Sequence, residues 1–225
     1  MNIEQARFNM IEQQIRTWDV LDDRVLNVIS STPRENLTPE QYRALAFSDI
    51  STPLAHGQTM MPPKLEGKLL QSLALLPTDR VLEIGTGSGY LTACLAGLAG
   101  SVVSVDIHED FIEQAPARMA QHDIHHVSFA RGDAGAGWQS DSGFDAIAVT
   151  GSLPGLHQGY HGLLNTGGRL FVITGQPPIM RALLITRIND HEYHHDGLLD
   201  TSLHPVVHAP PPSSLQFCVP HFPPT

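Results

Sequence analysis

Cysteine is almost missing from this chain. The two present, Cys94 and Cys218, lie far apart, one within a helical pattern and one in the tail, so no disulfide framework is expected and a reducing, cytoplasmic setting fits. Basic residues are also few: 13 Lys and Arg stand against 23 Asp and Glu, a formal charge of −10. Such a surface repels phosphate backbones and anionic membranes, which argues against nucleic acid or a bilayer as partner. Long apolar runs are lacking too. The most apolar stretch, Ala93 to Val105, is broken by Gly97 and Gly100, and Met1-Asn2-Ile3-Glu4-Gln5 carries no basic flank leading into an apolar segment. Neither a membrane span nor a signal peptide is expected. Aromatic residues make up only 6% of the chain, and its two tryptophans, Trp18 and Trp138, read as packing anchors.

What remains is an α/β pattern. A chain of 225 residues can bury one sizeable core, so a single domain is expected, with N-terminal helices over 1–55, a cofactor-binding core over 56–175, and C-terminal strands with a proline-rich tail over 176–225. Phe8, Ile11 and Ile15 share one helix face, and Val25, Leu26 and Ile29 repeat a one-sided stripe after a cap at Asp22 or Asp23, with Pro33 as the stop. Thr38, Pro39 and Gln41 have the form of a capping box that starts a third short helix. Leu65, Leu69, Leu73 and Leu76 mark a fourth. Strand-like runs follow at Arg80 to Ile84, Ser101 to Val105, Val127 to Ala130, Phe144 to Val149 and Arg169 to Ile173. Helical faces separate the first three, one of Leu91, Cys94, Leu95 and Leu98, the other of Phe111, Ile112, Ala115 and Met119. This alternation implies a three-layer, Rossmann-like fold with a mostly parallel sheet covered on both sides. After Gly175, Ala182 to Ile188 and the stretch Tyr193 to Leu199 are expected to pair antiparallel at the sheet edge. The tail, with Pro205, Pro210, Pro211 and Pro212, should run as an irregular surface strap.

Chemistry concentrates in Val81-Leu82-Glu83-Ile84-Gly85-Thr86-Gly87-Ser88-Gly89-Tyr90, which runs from a buried strand through a glycine turn into a helix. Glycines there tolerate positive φ and let a ligand touch the backbone, while free N–H groups at a helix start attract a carboxylate. An amino-acid cofactor suits that geometry. The dinucleotide fingerprint requires Gly-x-Gly-x-x-Gly, but counting from Gly85 the sixth position is Tyr90, which weakens a nicotinamide reading. The second strand ends at Asp106, where an acid can accept two hydrogen bonds from a ribose diol. Gly132-Asp133 follows the third strand at the same edge, where ligands of open α/β sheets collect. Glu83, Asp106 and Asp133 thus read as three acids in register with three strand ends.

Taken with that loop, Arg7-x-x-Met10-x-x-x-Gln14-Ile15, Val25-Leu26, Pro33-Arg34-Glu35, Asp49, Gly57-Gln58-Thr59, Gly132-Asp133 and Phe144-Asp145-Ala146-Ile147 resemble the protein-L-isoaspartate O-methyltransferase family of class I S-adenosylmethionine-dependent enzymes. The resemblance extends from Arg7 to about Gly175. It implies methyl transfer from S-adenosyl-L-methionine to the free α-carboxylate of an isoaspartyl residue in a peptide or protein, whose ester collapses to a succinimide and allows repair. It also implies that Gln58, Thr59, Glu83, Gly85, Thr86, Gly87, Ser88, Asp106, Ile107, Gly132, Asp133 and Ala134 hold the cofactor. The segment beginning Gln58-Thr59 would cover it and face the substrate. There the family usually reads Gln-Thr-Ile-Ser, a further residue and proline, whereas this chain reads Gln58-Thr59-Met60-Met61-Pro62-Pro63. Met61 offers a weakly accepting thioether where a hydroxyl would stand beside the reacting carboxylate. That departure leaves open a small acid or a peptide natural product as acceptor, and a cofactor-binding protein without catalysis as a third reading.

Methyl transfer from a sulfonium is an in-line displacement with a neutral leaving thioether, so positioning supplies most of the rate. A carboxylate acceptor is already ionised at neutral pH, and no catalytic acid or base is expected. Thr59 is the candidate polar contact to the substrate; its alternative role is to cap the helix beginning near Pro63. His122-x-x-His125-His126 and His191-x-x-His194-His195 have no cysteine nearby and no helix to align them, and are expected as solvated side chains rather than metal ligands. Cys94, on an apolar helix face, is expected to be inert core.

Overall fold

The apolar, β-branched runs between the glycine turns assemble one seven-stranded sheet, and the chain order along it fixes where a ligand can enter. The computed structural model describes residues 2–156 and 158–211; Pro212 and Cys218 lie outside the described residues. In chain order the elements are α1 (Ile3–Met10), α2 (Asp23–Ser31), α3 (Arg34–Leu37), β1 (Thr52–Pro53), β2 (Thr59–Met60), α4 (Pro63–Leu73), β3 (Arg80–Ile84), α5 (Tyr90–Leu98), β4 (Ser101–Asp106), α6 (Glu109–Ala120), β5 (Val127–Arg131), β6 (Phe144–Leu153), β7 (Leu164–Gln176), β8 (Ile179–Arg187) and β9 (Tyr193–Thr201). The large sheet has the order β5-β4-β3-β6-β7-β8-β9. β5, β4, β3, β6 and β7 are parallel neighbours, whereas β8 and β9 add antiparallel at the edge, as their sequence led one to expect. Chain order reverses between β3 and β6, which opens a crevice at their carboxyl ends.

Both faces of the sheet are apolar, and each is covered differently. Val81, Val102, Ala146, Ala148, Phe171 and Ile173 point to the face packed under α2, α4 and α5, where Leu69, Leu70, Leu73, Cys94 and Leu95 are fully buried. Each such leucine contributes roughly 1.5–3 kcal/mol of burial. Leu82, Ile84, Ile147, Val149, Leu170 and Val172 point to the opposite face, where Ala134, Trp138, Leu156, Tyr160, Val206 and Ala209 cover them. This second layer is built from loops and the short helical segment Gln158–Leu163, not from full helices.

Three local expectations are corrected. Phe8 is 58% exposed, and Met10 takes its place beside Ile11 and Ile15, because Ile11–Ile15 widens into a π-helical turn that shifts the stripe. Leu76 is 53% exposed because α4 already ends at Leu73, with Ala74 in the left-handed region. The capping box at Thr38 does not form. Its hydroxyl instead donates to the Arg34 carbonyl at 2.8 Å, and the 3-10 helix Glu40–Leu45 has no side-chain cap. By contrast Asp22 caps α2 as expected, its Oδ1 accepting the Arg24 N–H at 2.8 Å. No helix among the described residues is long and apolar enough to cross a membrane.

Candidate active site

The crevice encloses about 840 Å³ of space open to solvent. Its floor is the loop after β3, in which Gly85, Gly87 and Gly89 have φ of +101°, +51° and +84°. At Gly85 there is no room for a side chain, because a Cβ would fall 2.2 Å from Thr150 Oγ1. That hydroxyl donates to the carbonyls of Ile84 and Gly85, at 2.8 and 3.0 Å, so a residue of β6 clamps the loop that leaves β3.

The loop amides are divided between the protein and the cleft. Gly85 N–H donates to the Val105 carbonyl at 2.7 Å and Gly89 N–H to the Thr86 carbonyl at 2.9 Å. Tyr90 N–H donates to Ser88 Oγ at 3.2 Å, and Gly87 N–H to Asp106 Oδ2 at 3.0 Å. The amides of Thr86 and Ser88 have no acceptor among the described residues, and both residues line the cleft. Two such amides at a helix start fit one carboxylate of a ligand.

Asp106, 7% exposed at the end of β4, also accepts the His108 N–H on Oδ1 at 2.9 Å. Each of its oxygens keeps a further lone pair, and the residue lines the cleft. Asp133, after β5, accepts the Gly135 N–H at 3.0 Å and lies 2.8 Å from His208 Nδ1. The Gly135 hydrogen bond and then the His208 contact hold its carboxyl below the ordinary range. Ile107, Phe111 and Ala134 add apolar wall to the same cleft.

Of the residues expected to hold a cofactor, all but Glu83 line the cleft. Glu83 is fully buried one layer below. Strand alternation turns its side chain toward α5, where Oε2 accepts the hydroxyls of Thr92 and Ser104, each at 2.5 Å, and Ser104 Oγ lies 2.6 Å from Thr86 Oγ1. Glu83 therefore braces the glycine loop from beneath and is not a wall of the site. Thr59 does line the cleft, as one residue of the small β1–β2 hairpin. It is not a helix cap, since the residue before α4 is Pro62 and no side chain caps that helix.

Sequence reasoning missed three parts of the wall. Leu54 lines the cleft against the glycine loop, where a Cβ at Gly87 would lie 3.1 Å from its Cδ1, and His56 at the hairpin tip stacks on His108 with ring centres 4.1 Å apart and 4° between planes. The strap after β9 is a second roof: Leu203, His204, Pro205, Val206 and Val207 line the cleft. It is tied to the end of β6, where Ser152 N–H donates to the His204 carbonyl and Val206 N–H to the Ser152 carbonyl, both at 2.9 Å. Gly135 permits the close approach, because a Cβ there would lie 2.6 Å from the Val207 carbonyl oxygen. The third part is Glu66, a buried carboxylate of α4. The apolar pair Val206-Val207 behind Pro205 was the available signal for the strap; a glutamate inside a leucine-rich helix was the signal for the last.

The histidine clusters stay apart from this cleft. His126 Nε2 lies 2.7 Å from the Ala96 carbonyl, His194 Nε2 lies 3.0 Å from Asp196, and no group of three His, Cys, Asp or Glu able to hold a metal ion occurs among the described residues. Cys94 is buried, and burial pushes its thiol up to about 12.

A nucleoside carrying an amino-acid tail fits this donor set: acids at two strand ends for hydroxyls and a base amino group, apolar wall in the same cleft, and two free loop amides for a carboxylate. The model of the protein-L-isoaspartate(D-aspartate) O-methyltransferase family matches residues 5–209. The chain belongs to that family. A protein-L-isoaspartate O-methyltransferase of Yersinia pestis is 36% identical over 201 residues, which cover 89% of this chain and 96% of the relative; one from Yersinia pseudotuberculosis matches equally. Among solved structures, a Plasmodium falciparum chain described as a protein-L-isoaspartate O-methyltransferase, in complex with S-adenosyl-L-homocysteine, aligns at a TM-score of 0.75 with 20% identity, covering 92% of this chain and 98% of that one. A second protein-L-isoaspartate O-methyltransferase aligns at 0.75 with 23% identity, covering 92% and 66%. As a member of the family the chain is an S-adenosylmethionine-dependent methyltransferase with the Rossmann-like fold.

Proposed function

We propose that this methyltransferase esterifies the free α-carboxylate of isoaspartyl residues in peptides or proteins, in the cytoplasm, as the first step of their repair. The observation that carries the reading is the cleft at the reversal of sheet order, walled by Asp106, Asp133 and the glycine loop and roofed by the Gln58–Met61 segment, on a chain that matches the family over residues 5–209. In it Asp106 would hold the ribose hydroxyls, Asp133 the base amino group, and the Thr86 and Ser88 amides the amino-acid carboxylate of S-adenosyl-L-methionine. When bound, that cofactor supplies an electrophilic methyl group on a sulfonium.

The remaining work belongs to the protein. The hairpin and the strap would exclude water, and the Thr59 hydroxyl, on a residue that lines the cleft, would contact the acceptor. No residue need remove a proton, because the acceptor carboxylate is ionised at neutral pH and the leaving thioether is neutral. The test is to incubate the protein with labelled S-adenosyl-L-methionine and either an isoaspartyl peptide or its aspartyl counterpart. Base-labile methyl ester on the first alone is expected; ester on neither, with the cofactor still bound, would dismiss the acceptor. One observation favours a second reading. Met60 and Met61, 5% and 3% exposed, line the cleft where the family usually carries Ile-Ser, so a small acid or another peptide carboxylate belongs in the same screen.

A further inference from the structure

Beside Met61 the cleft wall carries the carboxyl group of Glu66, which has no part in holding the cofactor in the reading proposed above. Glu66, on α4, is 3% exposed and lines the cleft together with Thr59, Met60 and Met61. Behind it lies Arg34 of α3, 1% exposed. The guanidinium donates through Nε to the Ala46 carbonyl at 2.8 Å, through Nη2 to the Met61 carbonyl at 2.8 Å and through Nη1 to Glu66 Oε2, and it covers the Tyr90 ring at 4.5 Å. Glu66 Oε1 accepts no hydrogen bond from the described residues and is not sealed away from the cleft. An unpartnered carboxylate oxygen in so buried a place is costly unless a ligand supplies its partner.

The acceptor proposed above, on which this inference rests, is itself a carboxylate. Two carboxylates within hydrogen-bond distance cannot both stay ionised, and one proton must lie between them. We propose that Glu66 carries that proton on Oε1 and donates a hydrogen bond to the acceptor carboxylate while Oε2 keeps Arg34, so that Glu66 supplies the donor which the family places at position 61 as a serine hydroxyl. Burial pushes the Glu66 carboxyl up to about 7, with Arg34 opposing. The titratable groups that face it are Arg34 from α3, Tyr90 and Cys94 from α5, and Glu83 from β3; burial raises the last three as well, so Arg34 is the cation that remains behind the acceptor. In the reaction the S–CH3 bond breaks with its electron pair left on sulfur and the O–CH3 bond forms from the acceptor oxygen. No proton moves, and Glu66 only orients.

The test follows methyl ester formation on an isoaspartyl peptide from about pH 5.5 to about pH 9 in the wild type, Glu66→Gln, Glu66→Ala and the double variant Met61→Ser/Glu66→Ala, with S-adenosyl-L-homocysteine binding measured in each by calorimetry. In the wild type kcat/KM should fall about tenfold per pH unit above about pH 7. Glu66→Gln keeps a donor that does not titrate and should flatten that limb. Glu66→Ala should lose about tenfold to a hundredfold in kcat/KM at about pH 6.5, and adding Met61→Ser should restore most of it, with S-adenosyl-L-homocysteine affinity unchanged within about twofold. An alkaline limb that survives in Glu66→Gln, or wild-type kcat/KM in Glu66→Ala, overturns the role of Glu66 alone. A wild type that binds S-adenosyl-L-homocysteine yet esterifies no isoaspartyl peptide at any pH overturns the acceptor, and this inference with it. If Glu66→Ala fails to fold, the wild-type and Glu66→Gln profiles decide.

Discussion

Replacing Glu83 by glutamine should make the protein relatively more stable at alkaline pH and leave cofactor binding nearly untouched. Glu83 is fully buried, its Oε2 holds two hydroxyls at 2.5 Å, and its Oε1 is buried without a partner among the described residues. Burial is the largest cause that pushes its carboxyl up from 4.5 to about 8; the Ser104 and Thr92 hydrogen bonds oppose this, and the charges of Asp106 and Glu66 add to it. The folded state therefore keeps a proton that the unfolded chain releases. Its contribution is complete below about pH 4.5 and is lost as pH rises through about 8. Over that interval the loss amounts to at most roughly 5 kcal/mol. Glutamine retains an acceptor for both hydroxyls and never ionises, but its amide nitrogen replaces Oε1 and finds no acceptor, at a cost of about 1–3 kcal/mol. Urea unfolding should thus show Glu83→Gln less stable than wild type at about pH 5 and more stable at about pH 9, by about 2–4 kcal/mol, with S-adenosyl-L-homocysteine affinity changed less than about threefold. An equal difference between the two proteins at both pH values would refute a buried, proton-holding Glu83, and a large loss of affinity would put it back in the wall of the site.

Asp106→Ala should weaken S-adenosyl-L-homocysteine binding by about tenfold to a hundredfold, read by calorimetry, since charge-assisted hydrogen bonds contribute about 1.5–3 kcal/mol; unchanged affinity would remove Asp106 from the diol. Gly85→Ala places a Cβ 2.2 Å from Thr150 Oγ1 at φ +101°, and a destabilisation of about 2–4 kcal/mol is expected in denaturant unfolding. A wild-type midpoint would show that the Thr150 clamp yields freely. His208→Ala frees the exposed end of the strap from Asp133 and should speed release of S-adenosyl-L-homocysteine severalfold in stopped-flow with little change in melting temperature. An unaltered release rate would mean that the strap does not gate the cleft.

The parallel sheet was legible because its strands are short apolar runs bounded by glycine and helix faces, and the carboxyl-end acids were legible because a strand that stops at a carboxylate leaves it at the sheet edge. Asp106 and Asp133 therefore fell into the cleft as expected. Glu83 did not, although it stands beside the same loop, because position along a strand decides which face a side chain meets: two residues before Gly85 it points down into α5. Nothing in Phe8-x-x-Ile11 announces the π-helical turn at Ile11–Ile15 that leaves Phe8 exposed. Four prolines give the strap the look of irregular surface backbone. What they do not reveal is that Ser152 at the far end of β6 takes this backbone as a partner, a contact between residues some fifty positions apart.

The substitution of methionine for the family's serine looks, in sequence, like a loss confined to one side chain. In the fold, position 61 is one of three places held by a single guanidinium: Arg34 binds the Met61 backbone carbonyl, the Ala46 carbonyl of the N-terminal extension and the Glu66 carboxylate. The N-terminal helices therefore do more than cover the sheet, for α3 delivers a cation behind the cleft-lining residues Met61 and Glu66, where the β1–β2 hairpin segment, α4 and the N-terminal extension meet. A fully buried guanidinium demands hydrogen-bond acceptors around it, and with Glu66 Oε2 among them, beside the Ala46 and Met61 carbonyls, the proposed donor can sit at 66 without moving the backbone that Arg34 holds. On the proposed role of Glu66, an apolar Met61 would exclude water from the acceptor while the Arg34 charge stays one layer behind it, on Glu66 and the Met61 carbonyl.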